Sequence, residues 1–169
     1  MRVLGIDPGS IKSGYGIIEN HDAHLVAIAF GVIRTTPKSP LGQRLLQIST
    51  GFQDVIAQYA PDELAIEDLF VAKNAQASLK LGQARGAILL TAAQAGLRIA
   101  EYTPLEVKQS VVGYGRADKL QVQQMVKVLL HLAEIPRPDD AADALAIAIC
   151  HHHSAKMNQQ IRATMKREH

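Results

Sequence analysis

The stretch Val3-Leu4-Gly5-Ile6 is an unbroken apolar run that meets a carboxylate, Asp7, and then at once a Pro8-Gly9-Ser10 turn. An apolar run of this kind belongs to a strand buried on both faces, which demands a sheet covered by other layers. Asp7 then stands at the end of a core strand. A strand-end Asp before Pro-Gly is often only a turn former, but one that follows a fully buried strand is harder to dismiss.

The next segments keep a strand texture. Gly14–Ile18 and Leu25–Ile33 read as second and third strands, joined by polar turns at Ser10–Ser13 and Asn20–His24, so the first three strands form antiparallel hairpins. The period then changes. Leu41, Leu45, Ile48, Phe52, Val55, Ile56 and Tyr59 recur at helical spacing. Leu64-Ala65-Ile66 is a short strand ending on Glu67. Asn74 caps an Ala-rich helix that stops near Gly96, and Arg98–Tyr102 is a further short strand. Pro104 opens a helix carrying Val107 and Val111 on one face. Lys119 to Leu132 predicts another, and a final helix starts near Asp139 and runs through Ala148. Hairpins followed by alternating helix and strand predict an α/β fold with a mixed five-stranded sheet, its first strand central.

The chain has 169 residues, enough for one domain with a proper core. Residues 1–155 are expected to form it, and the polar, net basic 156–169 to be a flexible tail. Aromatic content is 4% with no Trp, so the core is aliphatic. A net charge of +2 does not by itself mark a nucleic-acid binder. The single cysteine, Cys150, excludes an internal disulfide and suits a reducing compartment. No segment reads as a signal peptide or reaches the ~18 apolar residues of a membrane span. A cytoplasmic location is expected.

Four positions carry the chemistry. Asp7 and Glu67 each end an apolar strand, and in a mixed sheet two such ends can lie side by side. Asp140 and Asp143 are three residues apart at a helix start and share a face. Asp139, four residues from Asp143, competes with Asp140 for that role, and either can serve merely as a cap. Carboxylates brought together repel and require a cation. Oxygen donors select Mg²⁺ or Mn²⁺ over Zn²⁺, and two such ions can promote phosphodiester hydrolysis.

The strings GIDPGSIKSGYGII (5–18), AIEDLF (65–70), KNAQASLKLGQARG (73–86), VKQSVVGYG (107–115) and DAADALAIAI (140–149) resemble the RuvC family of bacterial Holliday-junction resolvases. They run in family order to about His153. The resemblance implies a ribonuclease H-like fold, a homodimer, and metal-dependent paired nicking of four-way junctions in recombination and DNA repair. The products it implies carry 5′-phosphate and 3′-hydroxyl ends. It places the metal-binding and catalytic acids on Asp7, Glu67, Asp140 and Asp143, with Mg²⁺ or Mn²⁺ as cofactor, two ions per site. It places important lysines on Lys108 and Lys119, and on Phe70 an aromatic that reaches the junction's central bases. The RuvA–RuvB branch-migration complex is an implied partner.

Physical readings stand beside these. Lys108 and Lys119 would neutralise phosphate near the acids, or else be solvated helix lysines. Phe70 would stack on an unpaired base, or tuck onto the core. Lys73, Arg85 and Arg116 are further candidate phosphate contacts. Gly82 and Gly86, four apart, would let a second helix approach, in a dimer or against the sheet. His151–His153 reads as a helix C-terminus rather than a metal tract, and Cys150 as a packed residue. Three alternatives remain. They are an ATP-binding protein whose phosphate loop is GIDPGSIKSG, a junction-binding module without activity, and an RNA-processing nuclease of the same fold.

Overall fold

The computed structural model describes residues 1–22, 24–68 and 74–165. Strands β1 (Arg2–Asp7), β2 (Lys12–His21) and β3 (His24–Arg34) are followed by helix α1 (Leu41–Tyr59) and strand β4 (Glu63–Glu67). Then come α2 (Ala75–Gln94), β5 (Arg98–Tyr102), α3 (Pro104–Val112), α4 (Lys119–Leu129) and α5 (Asp139–Met165). The sheet order is β3-β2-β1-β4-β5. The hairpin strands pair antiparallel, while β1–β4 and β4–β5 are parallel. This is the ribonuclease H-like arrangement, with β1 central.

Strand alternation sorts the sheet into two faces. Leu4 and Ile6 of β1, Ile17 of β2, and Leu64 and Ile66 of β4 pack against Ile48, Phe52 and Val55 of α1 and Ala84, Ile88 and Ala92 of α2. Val3, Ile18 and Ala65 point the other way, onto α3, α4 and α5. Asp7 follows Val3 and Gly5 at two-residue steps, and Glu67 follows Ala65, so both acids share the α5 face. Ile6 pairs with Ile66, which sets the two strand ends beside each other.

Helix α5 lies on that face at backbone contact. A Cβ on Gly5 would fall on the carbonyl oxygen of Ala144, one on Gly14 on that of Asp140, and one on Gly16 on the Leu145 side chain. Gly5 and Gly16 are cross-strand partners, and Asp7 pairs with Gly14. The two strands thus present a glycine trough, and Ala141, Ala144 and Ala148, all fully buried, fill it from the helix.

Element ends follow local chemistry. Asn74 Oδ1 accepts from the amides of Gln76 and Ala77 at 3.0 and 3.2 Å, and Gly96 (φ 73°) closes α2 as expected. Thr103 and Glu106 form a capping box on α3, with Pro104 in its first turn.

Two helices differ from expectation. Helix α4 stops at Leu129, three residues before Leu132, because His131 turns left-handed (φ 53°) and the Leu132 amide bonds back to the Lys127 carbonyl at 2.9 Å. No glycine signals that stop. Helix α5 continues to Met165, well past Ala148 and into the segment expected to be a tail, because no glycine or proline interrupts residues 139–165. The histidine run is therefore mid-helix rather than at a C-terminus. His151 Nε2 meets Glu63 Oε2 at 2.6 Å and its Nδ1 meets the Tyr102 hydroxyl at 2.9 Å. His153 Nδ1 meets the Ser110 hydroxyl at 3.1 Å. Cys150 is buried and unpaired, and burial pushes its thiol up to about 11, so it packs rather than reacts.

Gly5→Ala should cost about 3 kcal/mol or more, since a methyl group there must displace helix backbone. Gly42→Ala, with open space around it, should change stability by no more than about 1 kcal/mol. Urea unfolding of both variants checks this, and equal losses would contradict the close helix–sheet contact.

Candidate active site

The acids arrive from three elements. Asp7 and Glu67 project from adjacent strand ends, and Asp140 and Asp143 from the first turn and a half of α5. Because α5 is seated on the glycine trough, its N-terminal turn is held against the end of β1. Burial raises the Asp7 carboxyl from 3.8 to about 7, and the charges of Asp143, Glu67 and Asp140 push the same way, with Lys119 opposing them. Burial and the Asp143 charge likewise raise Glu67, against the pull of Lys108. Burial raises Asp143 despite its bond to Lys119. Desolvation and like charge together make ionisation of this group of acids unfavourable without a cation.

Cations from the chain partly meet that demand. Lys119 Nζ donates to Asp143 Oδ2 at 2.8 Å and lies 3.7 Å from Asp139. Lys12 Nζ donates to Asp140 Oδ2 at 2.7 Å. Asp139 is also paired with Arg137, so it sits on a basic rim while Asp140 acts on Asp7. Among the described residues, no three acid, histidine or cysteine side chains close on one point as a ready-made metal cage. The acids lie within electrostatic reach of one another, with Lys12 and Lys119 paired to them at the helix end.

A cleft of about 260 Å³ opens beside the acids, lined by Glu67, Asp143, Lys108 and Lys119 over Pro104, Val107, Val122 and Ile147. The capping box on α3 sets Lys108, one turn on. Asp118, which caps α4 and exchanges bonds with Gln121, sets Lys119 as the first residue of that helix. Arg116 is exposed in the turn between the two helices. Arg85, expected as a phosphate contact, is instead turned inward with its side chain 12% exposed. Its Nε donates to the Glu67 carbonyl at 3.3 Å and its guanidinium pairs with Glu101 and, at 3.8 Å, Asp68. It braces the strand end that carries Glu67. Phe70 and Lys73 lie outside the described residues. Lys12 was not singled out in the sequence. Its only signal there is a cation five residues after Asp7.

The donor set fits a divalent cation. Every candidate ligand is a carboxylate oxygen, and the raised Asp7 and Glu67 carboxyls are groups that a bound cation would bring back to the charged form.

The model for crossover junction endodeoxyribonuclease RuvC matches residues 3–151. Over 94% of its length the chain is 54% identical to 96% of the protein of that name from Citrifermentans bemidjiense. It is 55% identical, over 91% of its length, to 95% of the one from Heliobacterium modesticaldum. A solved structure, T. thermophilus RuvC in complex with Holliday junction substrate, superposes with a TM-score of 0.89 at 36% identity. That match covers 94% of this chain and 96% of the other.

Asp7→Asn should stabilise the metal-free protein at pH 8. The folded state holds the Asp7 proton up to about pH 7 and the unfolded chain only to its ordinary 3.8. Stability from this group is therefore present at low pH and is lost as pH rises through about 7. At about 1.4 kcal/mol per pH unit, the gain in the variant is capped at ~4 kcal/mol at pH 8 and shrinks towards pH 4. Urea unfolding in chelator at pH 4.5 and pH 8 tests it. A variant less stable than wild type at pH 8 would refute the assigned burial cost.

Proposed function

The chain belongs to the RuvC family of crossover junction endodeoxyribonucleases, and we propose that Asp7, Glu67, Asp140 and Asp143 hold the divalent cations with which it nicks a four-way DNA junction. It is a nuclease of recombination and repair, and its family is metal-dependent. The supporting observations are the mutual influence of these acids, which together with burial raises Asp7 to about 7, and a cleft beside them lined by Glu67, Asp143, Lys108 and Lys119.

A pair of Mg²⁺ or Mn²⁺ ions bound there would lower the pKa of an attacking water and draw charge from the departing 3′ oxygen. The chain's own groups do the rest. Asp7 and Glu67 stand on central strands and supply fixed oxygens, Glu67 braced from behind by Arg85. Asp140 and Asp143 come on a helix that cannot rock without driving Ala144 into Gly5. Lys108 and Lys119 meet phosphate of the bound strand, and Arg116 on its exposed turn extends that track. By the resemblance, Phe70 would meet the junction's central bases, and Lys73 is a further candidate phosphate contact.

A homodimer fits this substrate, since a twofold pair presents two sites to two opposed strands. Support comes from α2, where Gly86 has open space around it and Leu79 and Leu90 are 62% and 60% exposed. An apolar face with a glycine gap admits a partner helix. Cooperation with a RuvA–RuvB complex rests on the resemblance alone, and a cytoplasmic site of action on the single cysteine and the sequence reading.

Incubation with a synthetic mobile junction, a linear duplex, a single strand and an RNA duplex, in Mg²⁺, Mn²⁺ or chelator, tests the reading. Symmetric ligatable nicks confined to the DNA junction and dependent on metal are expected. Asp7→Asn should abolish cutting while junction binding persists, and comparable cutting of RNA would point to an RNA-processing enzyme instead. Lys108→Ala should weaken junction binding and lower the slope of log affinity against log salt by about 1.

A further inference from the structure

We propose that Lys12 is the resident counter-ion of Asp140, and that its ammonium must leave this carboxylate before a divalent cation can use it, so that Lys12 sets the metal affinity of the free protein. The inference rests on the metal-site reading above. It concerns a residue that neither the resemblance nor the acidic pattern assigns a role.

The geometry is specific. Lys12 Nζ donates to Asp140 Oδ2 at 2.7 Å, across 128 residues of sequence. The backbone that carries it is fixed on three sides. Ser13, fully buried, donates its hydroxyl to the Gly9 carbonyl at 2.9 Å and accepts from the Gly9 amide at 3.1 Å. The Thr35 amide donates to the Ile11 carbonyl at 2.8 Å and its hydroxyl reaches the Ser10 carbonyl at 3.2 Å. The Arg44 guanidinium also donates to the Ser10 carbonyl. The turn between Asp7 and Lys12 is thereby held, and the helix terminus bearing Asp140 is held against Gly14, two residues beyond Lys12 on the same strand. The ion pair joins two rigid supports.

The pair is also easily parted. Lys12 is 47% exposed and Asp140 20%, and a solvent-screened pair of this kind is worth little on its own. Lys12 therefore neutralises one acid while the site lacks metal, yet costs an entering cation only a modest competition. Lys119 does the same for Asp143, but it lines the cleft and touches two acids. Lys12 lies outside the cleft-lining set. Once displaced, its ammonium is at the solvent-facing lip of the site.

The test is Mn²⁺ titration of the intact, DNA-free chain by calorimetry and by electron paramagnetic resonance of free Mn²⁺. Lys12→Gln should bind Mn²⁺ about fivefold more tightly than wild type, the equivalent of losing ~1 kcal/mol of competition. Lys12→Arg should match wild type. Lys38→Gln, which removes the same charge from an exposed position, should leave affinity unchanged. Unaltered or weaker binding by Lys12→Gln, or an equal gain in Lys38→Gln, overturns the role of Lys12. The site reading fails separately, and this inference with it, if wild-type Mn²⁺ binding is not reduced by Asp7→Asn.

Discussion

Helix α5 comes to backbone contact with β1 and β2 at Gly5 and Gly14, and at Gly16 its Leu145 side chain fills the place of a missing side chain. Most helix–sheet contacts are spaced by interlocking side chains, but here three glycines remove that spacer. The helix terminus is brought down to the level of the strand end, and Asp140 and Asp143 come within electrostatic reach of Asp7. A larger residue in the trough would lift the helix and draw the helix acids away from the strand acids. Close packing also leaves the helix little freedom to slide, because protein interiors resist small volume changes. This close contact is thus next to a group of mutually repulsive charges.

That repulsion organises the rest of the site. Burial and like charge leave Asp7 and Glu67 reluctant to ionise, and the chain surrounds them with ammonium groups from three elements. Lys12 comes from β2, Lys108 from α3 and Lys119 from α4. Such a site is destabilising when empty of cations and suited to a substrate that is itself a polyanion delivered with divalent ions. Under the proposed function the same lysines would serve twice, offsetting the acids before binding and the phosphates after it.

Much of this was legible in the chain. The apolar runs ending on Asp7 and Glu67, the helical period of 41–59, the Asn74 cap and the Pro104 start all match elements of the structure. They are local signals, carried by residues within a few positions of each other. The close packing was half legible. Gly14 and Gly16 alternate within a strand, and alanines recur in α5, yet only the pairing of Gly5 with Gly16 makes them one trough. The extent of α5 and the stop of α4 were not legible, because neither end carries glycine or proline.

By itself, then, the sequence determined the strand and helix order, the central buried strand and the candidate acids, since periodicity and punctuation are written along the chain. Tertiary structure alone decided which charges meet. It turned Arg85 inward behind Glu67, paired Asp139 with Arg137 on the rim, and set Lys12 on Asp140 across 128 residues. No local pattern encodes a contact between a hairpin turn and a distant helix terminus. Such contacts follow from how closely two layers can approach, which three glycines and the alanines above them settle.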